Sequence, residues 1–119
     1  MQYLWVALGG AIGSVLRFAL SGPIGKLLGH AFLGTTVVNV TGSFVIGLVA
    51  ALGPIALWEQ LLVVGVCGGY TTFSSFSLQT LQLIHEGRWS VAFSNAAGSV
   101  LFCIAAVWLG HACGAWLRK

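Results

Sequence analysis

Hydrophobic residues fill four long stretches of the chain that contain no charged side chain. These stretches are residues 1–16, 31–58, 60–84 and 89–117. Because a helix that crosses a bilayer needs about 20 predominantly apolar residues, the pattern predicts transmembrane helices at about residues 2–20, 31–52, 60–84 and 89–116. The expected fold is therefore all-α, a single membrane domain that covers residues 1–119 with four spans.

The third stretch differs from the others in its middle, where two glycines are followed by a run of hydroxyl side chains. The glycines are Gly68 and Gly69, and the hydroxyls belong to Tyr70, Thr71, Thr72, Ser74 and Ser75. Glycine does little to hold a helical backbone, and hydroxyls offer that backbone alternative hydrogen bonds. Irregular backbone at membrane depth persists only where it is buried in protein or lines a cavity. A broken third helix therefore predicts a site.

Polar side chains recur at helical spacing on three of the four predicted helices. Helix two carries Thr35, Asn39 and Ser43 at intervals of four, and helix four carries Asn95 and Ser99 at the same interval. Residues four apart lie on one face of a helix. A carboxamide in the middle of a membrane is costly unless it pairs. Asn39 is therefore expected either to join two helices or to offer its N–H donors to a passing solute.

Two aromatic side chains lie next to the polar face of helix three. Thr72, Ser75 and Gln79 follow spacings of three and four, and Phe73 and Phe76 lie beside them. This combination is typical of a pore wall. The same pattern would also arise if the hydroxyls bonded to their own helix while the Phe side chains faced lipid or a neighbour. Because four spans are too few to enclose a pathway with three polar faces, we expect the chain to form an oligomer.

Composition narrows the classes of protein that fit. The chain is 58% hydrophobic and 6% charged, with a mean hydropathy of +0.98, which indicates an integral membrane protein. The net charge of +3 comes from too few groups to form a nucleic-acid surface. The scattered acids and histidines do not form the partnered set that an enzyme needs. Cys67, Cys103 and Cys113 lie within spans without a CxxC motif, so we expect packing rather than a metal site or a disulfide.

The few charged residues bear on orientation and on the pathway. Arg17 closes the first span, where it either reaches the membrane interface or collects anions at the mouth of a pathway. Arg118 and Lys119 lie on the side of the termini, whereas Lys26 and Arg88 lie on the other. This near balance of positive charge gives almost no preferred orientation. Copies could then insert both ways and pair as an antiparallel homodimer.

Three segments in this order resemble the Fluc family of small fluoride channels, also called CrcB proteins. They are residues 9–18 (GGAIGSVLRF), 34–44 (GTTVVNVTGSF) and 68–77 (GGYTTFSSFS). The likeness covers essentially the whole chain, and the third segment is highly specific. The resemblance implies an antiparallel, dual-topology homodimer in the bacterial plasma (inner) membrane, a passive channel through which fluoride leaves the cell. It also implies a structural sodium ion at the two-fold axis.

The resemblance also implies roles for individual residues. The fluoride pathway would be lined by the following side chains: Asn39, Phe73, Phe76, Ser74, Ser75 and Ser99. We expect Thr35, which lies on the same face of helix two as Asn39, to line it as well. Arg17 takes the place of the family's first-helix arginine at the pore mouth, and the backbone carbonyls of Gly68 and Thr71 would bind the sodium ion. Many members have Glu where this chain has Gln79, so a role for that carboxylate in admitting fluoride does not carry over.

Two other functions fit a small membrane protein of this size. A dual-topology proton-coupled drug antiporter has a similar length and span count, but it needs a membrane-embedded carboxylate, and no Asp or Glu lies inside a predicted span. A membrane subunit without transport activity is the third possibility, and the polar faces argue against it. Hydroxyls, a carboxamide and aromatic edges are the donors that could replace the water around a small, strongly hydrated anion.

Overall fold

The computed structural model describes residues 1–53 and 59–119, and the regular structure within them is helical. The helices are α1 (Gln2–Leu27), α2 (Ala31–Ala51), α3 (Glu59–Cys67), α4 (Gly68–Tyr70), α5 (Phe73–His85) and α6 (Trp89–Leu117). The α3 segment is a π-helix, and α3, α4 and α5 together make up the third span. In this part of the chain, four helical segments are long and apolar enough to cross a membrane. The predicted all-α fold with a broken third helix is confirmed.

Helix α1 continues to Leu27, so the predicted end of this helix at Leu20 is wrong. Pro23 lies inside the helix although it cannot donate the backbone hydrogen bond of a helical residue. The reason is packing: a Cβ atom at Gly34 of α2 would overlap the carbonyl of Ser21. The last turns of α1 therefore lie backbone to backbone against the start of α2, and this contact holds the helix past the proline.

Close backbone contact also joins the other helices. A side chain at Gly13 would overlap the Val66 carbonyl, which places α1 directly against α3, and one at Gly110 would overlap the Phe44 carbonyl, which places α6 against α2. Such small residues let transmembrane helices pack by van der Waals contact without large side chains between them. Helix α2 ends at Ala51, one residue before the predicted end of helix two at about residue 52.

Large apolar side chains face outward over most of the surface. Phe18, Phe93 and Trp108 are 85%, 75% and 70% exposed, whereas Val38 is fully buried. In water such a surface would drive aggregation, but hydrocarbon covers it without cost. The polar side chains described next lie on the inner faces of the same helices.

Candidate functional site

The third span is interrupted at Thr71 and Thr72, which we call the break. Both residues are extended, with φ −83° and ψ 156° at Thr71 and φ −151° and ψ 120° at Thr72. The two glycines before them, Gly68 and Gly69, remain helical in α4, so the predicted break is present but begins three residues later than Gly68. β-Branched threonine favours extended backbone. Gly69 instead allows close approach, because a Cβ there would crowd the Gly10 backbone.

Hydroxyls at the break bond to backbone groups on both sides of it. The Thr72 Oγ1 accepts from the Ser75 backbone N–H at 3.2 Å and so caps the start of α5. The Thr71 N–H keeps its helical bond to the Cys67 carbonyl at 3.0 Å, and the Thr71 Oγ1 donates to the same oxygen at 2.9 Å. These bonds matter because each unsatisfied backbone group in hydrocarbon costs several kcal/mol. The two threonines therefore determine where the helix stops and restarts.

Asn39 of α2 binds the break through both ends of its carboxamide. Its Nδ2 donates to the Thr72 carbonyl at 2.9 Å, and its Oδ1 accepts from the Thr72 N–H at 2.7 Å. Of the two roles expected for Asn39, the joining of helices is present in the structure. Since a carboxamide carries two N–H donors, one donor of Asn39 is left for another partner.

Six of the seven predicted pathway residues line two cavities that meet at the break, and Ser74 lines neither of them. A groove of about 630 Å³ that is open to the surface of the chain, which we call the outer groove, includes Asn39, Phe73, Phe76 and Ser99 in its lining. The rings of Phe73 and Phe76 lie 5.2 Å apart at an angle of 48°. Phe73 is 75% exposed. The aromatic edge thus faces open space in the single chain.

The second space, which we call the inner cavity, lies between α1, α2 and α5 and has a volume of about 410 Å³. Thr35, Ser75 and Arg17 line it, together with Thr72 and Gln79. Thr72 belongs to the lining of both cavities. Sequence reasoning placed Thr72 in a polar stripe but left it out of the predicted pathway residues. Its position in the sequence, where the hydroxyl face of helix three meets the aromatic face of Phe73 and Phe76, could have identified Thr72 as a pathway residue.

Arg17 lies beside the break, ten residues before the end of α1. Its Nη1 donates to the Thr71 carbonyl at 3.4 Å. At a rise of about 1.5 Å per residue, the end of α1 is about 15 Å further along the helix. Arg17 therefore lies on the wall of the inner cavity, well before the end of α1.

The hydroxyls of the predicted pathway differ in their surroundings. Ser74 is exposed, and its Oγ lies 3.2 Å from the Thr72 Oγ1. Ser75 is half-buried, and its Oγ accepts from the Thr72 Oγ1 at 3.2 Å. Ser74 is therefore connected to the break through Thr72, whereas Ser75 also reaches the inner cavity.

Ser99 belongs to a buried network that joins α2, α5 and α6. Its hydroxyl lies 3.1 Å from the Thr36 Oγ1, and the Asn95 Nδ2 donates to the Thr80 Oγ1 at 2.9 Å. Thr36 also donates to the Asn95 Oδ1 at 3.4 Å. The spacing of Asn95 and Ser99 predicted a polar face on α6, but Thr36 and Thr80 were missed. Their partners are remote in sequence, so only the packing brings them together.

Acidic, histidine and cysteine side chains do not gather at the site. Within residues 1–53 and 59–119 no group of three such side chains is close enough to hold a metal ion. Glu59 and Glu86 are exposed and lie at helix ends, and Glu86 pairs with Arg88 at 3.3 Å. The polar and aromatic side chains described around the break are therefore hydroxyls, amides, aromatic rings and one guanidinium, and apolar side chains complete the lining.

Four apolar spans with a broken third helix and a buried, donor-rich interior define a small multi-pass membrane protein. The family described as CrcB-like protein, Camphor Resistance (CrcB), matches residues 4–111. The chain belongs to the CrcB family.

Relatives cover nearly the full length of the chain. A protein of Rhodospirillum rubrum named fluoride-specific ion channel FluC is 55% identical over 93% of this chain and 92% of its own length. Proteins of the same name from Opitutus terrae and Methylocella silvestris are 53% and 46% identical, over 92% and 93% of this chain and 89% and 91% of their own lengths. The family and the four spans make the chain a multi-pass protein of the plasma membrane.

Proposed function

We propose that the chain is a passive channel that carries fluoride across the plasma membrane and lowers its concentration in the cytoplasm. The observation that supports this most directly is the set of side chains around the break. Thr72, Ser75, Arg17 and the remaining N–H of Asn39 are all hydrogen-bond donors. A strongly hydrated anion needs such donors in place of water. The relatives named above are ion channels, and we assign the chain no enzymatic activity.

The lining of both cavities lacks the group that a proton-coupled antiporter uses. Among the described residues that line the outer groove and the inner cavity there is no Asp or Glu. Proton exchange within a membrane depends on an ionisable side chain of this kind. A transporter that exchanges drugs for protons is therefore not the function that this site favours.

The test is fluoride efflux from liposomes that contain the purified protein, followed with a fluoride electrode. We expect efflux down the fluoride gradient at a rate that an imposed pH gradient does not change once charge movement is balanced. Chloride-loaded liposomes serve as the control for selectivity. Absence of fluoride efflux would contradict the proposal, and efflux that requires a pH gradient would favour the antiporter.

We also propose that two copies pair in antiparallel orientation through the outer groove. The groove is mostly apolar, carries the exposed Phe73, and includes Asn39, Gly68 and Thr71 in its lining. A second copy seated there would enclose the aromatic edge that one chain leaves open. Four spans alone do not surround such a path.

Dual orientation can be tested with a single cysteine added at the C-terminus, in a background in which Cys67, Cys103 and Cys113 are replaced. An impermeant thiol reagent should label part of the protein from outside intact vesicles and the remainder only after the membrane is opened. Complete labelling from one side would exclude the antiparallel dimer. Cross-linking in detergent gives the oligomeric state independently.

We propose that the backbone carbonyls of Gly68 and Thr71 bind the sodium ion. The hydrogen bonds at the break suit such an ion. In a continuous helix the Thr72 N–H would bond to the Gly68 carbonyl, but it donates to Asn39 instead. The Ser75 N–H likewise donates to the Thr72 hydroxyl rather than to the Thr71 carbonyl. The Thr71 carbonyl accepts from Arg17 at 3.4 Å, which leaves a second lone pair of this oxygen for a cation. Carbonyls without their helical partner are the oxygens that coordinate Na⁺ in unwound membrane helices. Sodium would supply positive charge at the centre of the dimer.

A stability measurement tests this proposal without relying on transport. A ligand that binds only the folded protein stabilises it by about 2.7 kcal/mol at 100 times its dissociation constant. We expect the protein in detergent to survive heating better in sodium chloride than in the same concentration of N-methylglucamine chloride. Potassium chloride is the control for non-specific ionic effects. Equal stability in all three salts would contradict the sodium site.

A further inference from the structure

A third cavity extends the inner cavity toward one face of the membrane. It has a volume of about 460 Å³ and lies where α1 ends and α2 begins, and we call it the loop cavity. Lys26, Gly29 and His30 line its outer part, at the connection between the two helices. Its position at a helix connection places it near the aqueous side of the bilayer.

The loop cavity and the inner cavity share part of their walls. Ser21, Thr35 and Gln79 line both of them. The inner cavity then continues to Thr72 and Ser75 at the break. Polar side chains thus follow a connected course from the loop between α1 and α2 to the middle of the membrane.

Positive charge along this course is not balanced by nearby acids. Lys26 is exposed, and within residues 1–53 and 59–119 the one ion pair joins Arg88 to Glu86. Neither described carboxylate lines the loop cavity or the inner cavity. Lys26 follows Arg17 by nine residues on α1, which corresponds to about 14 Å of helix. Two cations therefore mark the outer and inner ends of the course.

The shared wall contains a polar atom that has no protein partner in the described structure. The Oε1 atom of Gln79 is buried and accepts no hydrogen bond. A buried acceptor without a donor costs about 1–3 kcal/mol. A hydrated anion at this position would satisfy both ends of the amide, since its water donates to the oxygen and the anion accepts from the NH₂ group.

We propose that Lys26 attracts fluoride into the loop cavity, and that fluoride passes from there along the shared wall to the break. This assignment rests on the proposed channel function and identifies where fluoride enters the channel. A cleft lined by one sign of charge between low-dielectric walls raises the local concentration of the opposite ion, and salt weakens this effect. Lys26 acts before the ion reaches the narrow part of the path, so its contribution is to the rate of capture.

The test compares fluoride efflux from liposomes at about 10 mM and about 1 M ionic strength, where the Debye length is about 30 Å and about 3 Å. At low ionic strength we expect Lys26→Gln to conduct about threefold more slowly than the parent and Lys26→Glu about tenfold more slowly. At high ionic strength both should match the parent. Lys26→Arg should behave as the parent throughout, and Lys119→Gln, which removes an exposed charge outside these cavities, is the matched control.

Chemical modification of a cysteine at position 26 distinguishes an effect of charge on flux from an effect of misfolding. In a background in which Cys67, Cys103 and Cys113 are replaced, Lys26→Cys should lose the same low-salt flux as Lys26→Gln. A cationic thiol reagent should restore the flux, and an anionic one should lower it further. The same protein sample is measured before and after modification, so a difference in folding between variants cannot produce this pattern.

The outcomes distinguish this proposal from the channel function itself. If the parent conducts and Lys26→Glu matches it at low ionic strength, the entrance lies elsewhere and the channel function stands. If the loss in Lys26→Glu persists at high ionic strength, Lys26 has a structural role and the proposal is overturned. If the parent protein itself passes no fluoride, the proposed channel function is contradicted, and the entrance at Lys26 is contradicted with it.

Discussion

Helices α2 and α6 meet in two different ways along their length. Toward the end of α2, the backbones touch: a Cβ at Gly47 would overlap the Val107 carbonyl, and one at Gly110 would overlap the Phe44 carbonyl. Toward the start of α2, the same helices are bridged by side chains, with Thr36 3.1 Å from Ser99. A cavity of about 340 Å³ lies beside that bridge.

The difference shows how one helix pair can be both a rigid contact and a wall of the site. Backbone contact at glycine leaves no space for a solute and fixes the helices relative to each other. Hydroxyl and amide side chains keep the same helices further apart and satisfy each other in the space between. Substitutions in the glycine half should therefore cost the most stability. Substitutions of polar side chains in the other half should cost less stability and, where the side chain lines a pathway, should lower flux.

Asn39→Asp in the bridged half should have the largest effect. The carboxylate would face the Thr72 carbonyl, which now accepts from Asn39 at 2.9 Å, and it would repel an arriving anion. At a separation of about 4 Å and an effective dielectric of about 20, the repulsion is about 4 kcal/mol, which slows flux by about three orders of magnitude. Fluoride efflux measures it, with size exclusion as the check on assembly.

Ser77→Ala is the control for that measurement, because the exposed Ser77 bonds only to its own helix, at the Phe73 carbonyl. It should conduct as the parent does. An assembled Asn39→Asp protein that conducts at nearly the parent rate would show that the pathway does not pass Asn39.

Gly110→Ala in the glycine half should destabilise the protein by about 1–3 kcal/mol, because the new methyl group meets backbone that cannot move aside. The measurement is the fraction that survives heating in detergent. Gly10→Ala is the matched control, since a Cβ there has open space around it within α1. Equal stability of the two variants would mean that α2 and α6 are less closely packed than the structure indicates.

Phe76→Ile should lower fluoride flux by up to about tenfold while the dimer remains assembled. The substitution roughly preserves volume but removes the positive edge of the aromatic ring, and interactions of such rings are worth about 0.5–1.5 kcal/mol. Phe93→Ile makes the same change at a ring that is 75% exposed on α6. Equal loss of flux in both variants would point to a general packing effect rather than to contact with the anion.

Thr36→Val should have the smallest effect, a loss of about 1 kcal/mol of stability. It removes the hydroxyl that contacts Asn95 and Ser99 but leaves the bond from Asn95 to Thr80. Thermal survival in detergent is the readout, and Ser77→Ala, at an exposed hydroxyl that bonds only to its own helix, is the control. A Thr36→Val protein as unstable as Gly110→Ala would remove the distinction between the two halves of the α2–α6 contact.

The hydrophobic pattern predicted the four spans because lipid imposes a minimum length and excludes charge. The glycines and hydroxyls in the middle of the third stretch also predicted that this span is broken. They did not predict the exact residues, because glycine composition pointed to Gly68 whereas the extended residues are Thr71 and Thr72. The choice between those positions depends on Asn39, which lies on another helix.

Dependence on contacts between helices also explains the other differences between prediction and structure. Pro23 favours a helix end locally, and only the backbone of α2 against Ser21 keeps α1 helical there. Arg17 was expected at the end of a span because that span was expected to stop at Leu20. The distribution of the pathway residues over two cavities likewise depends on how the helices pack, which residue spacing along a single helix does not contain.

The paired bonds between Asn39 and Thr72 have a consequence for the order of assembly. A carboxamide carries the same donor and acceptor as a peptide group, so the Asn39 oxygen replaces the helical acceptor that the Thr72 N–H lacks, and its NH₂ group adds a bond to the Thr72 carbonyl. Without α2 alongside, a continuous helix would be the way for the third span to give the Thr72 N–H an acceptor. Because the chain is synthesised from its N-terminus, α2 is already available when the third span enters the membrane, and the kink is made at that meeting of two helices.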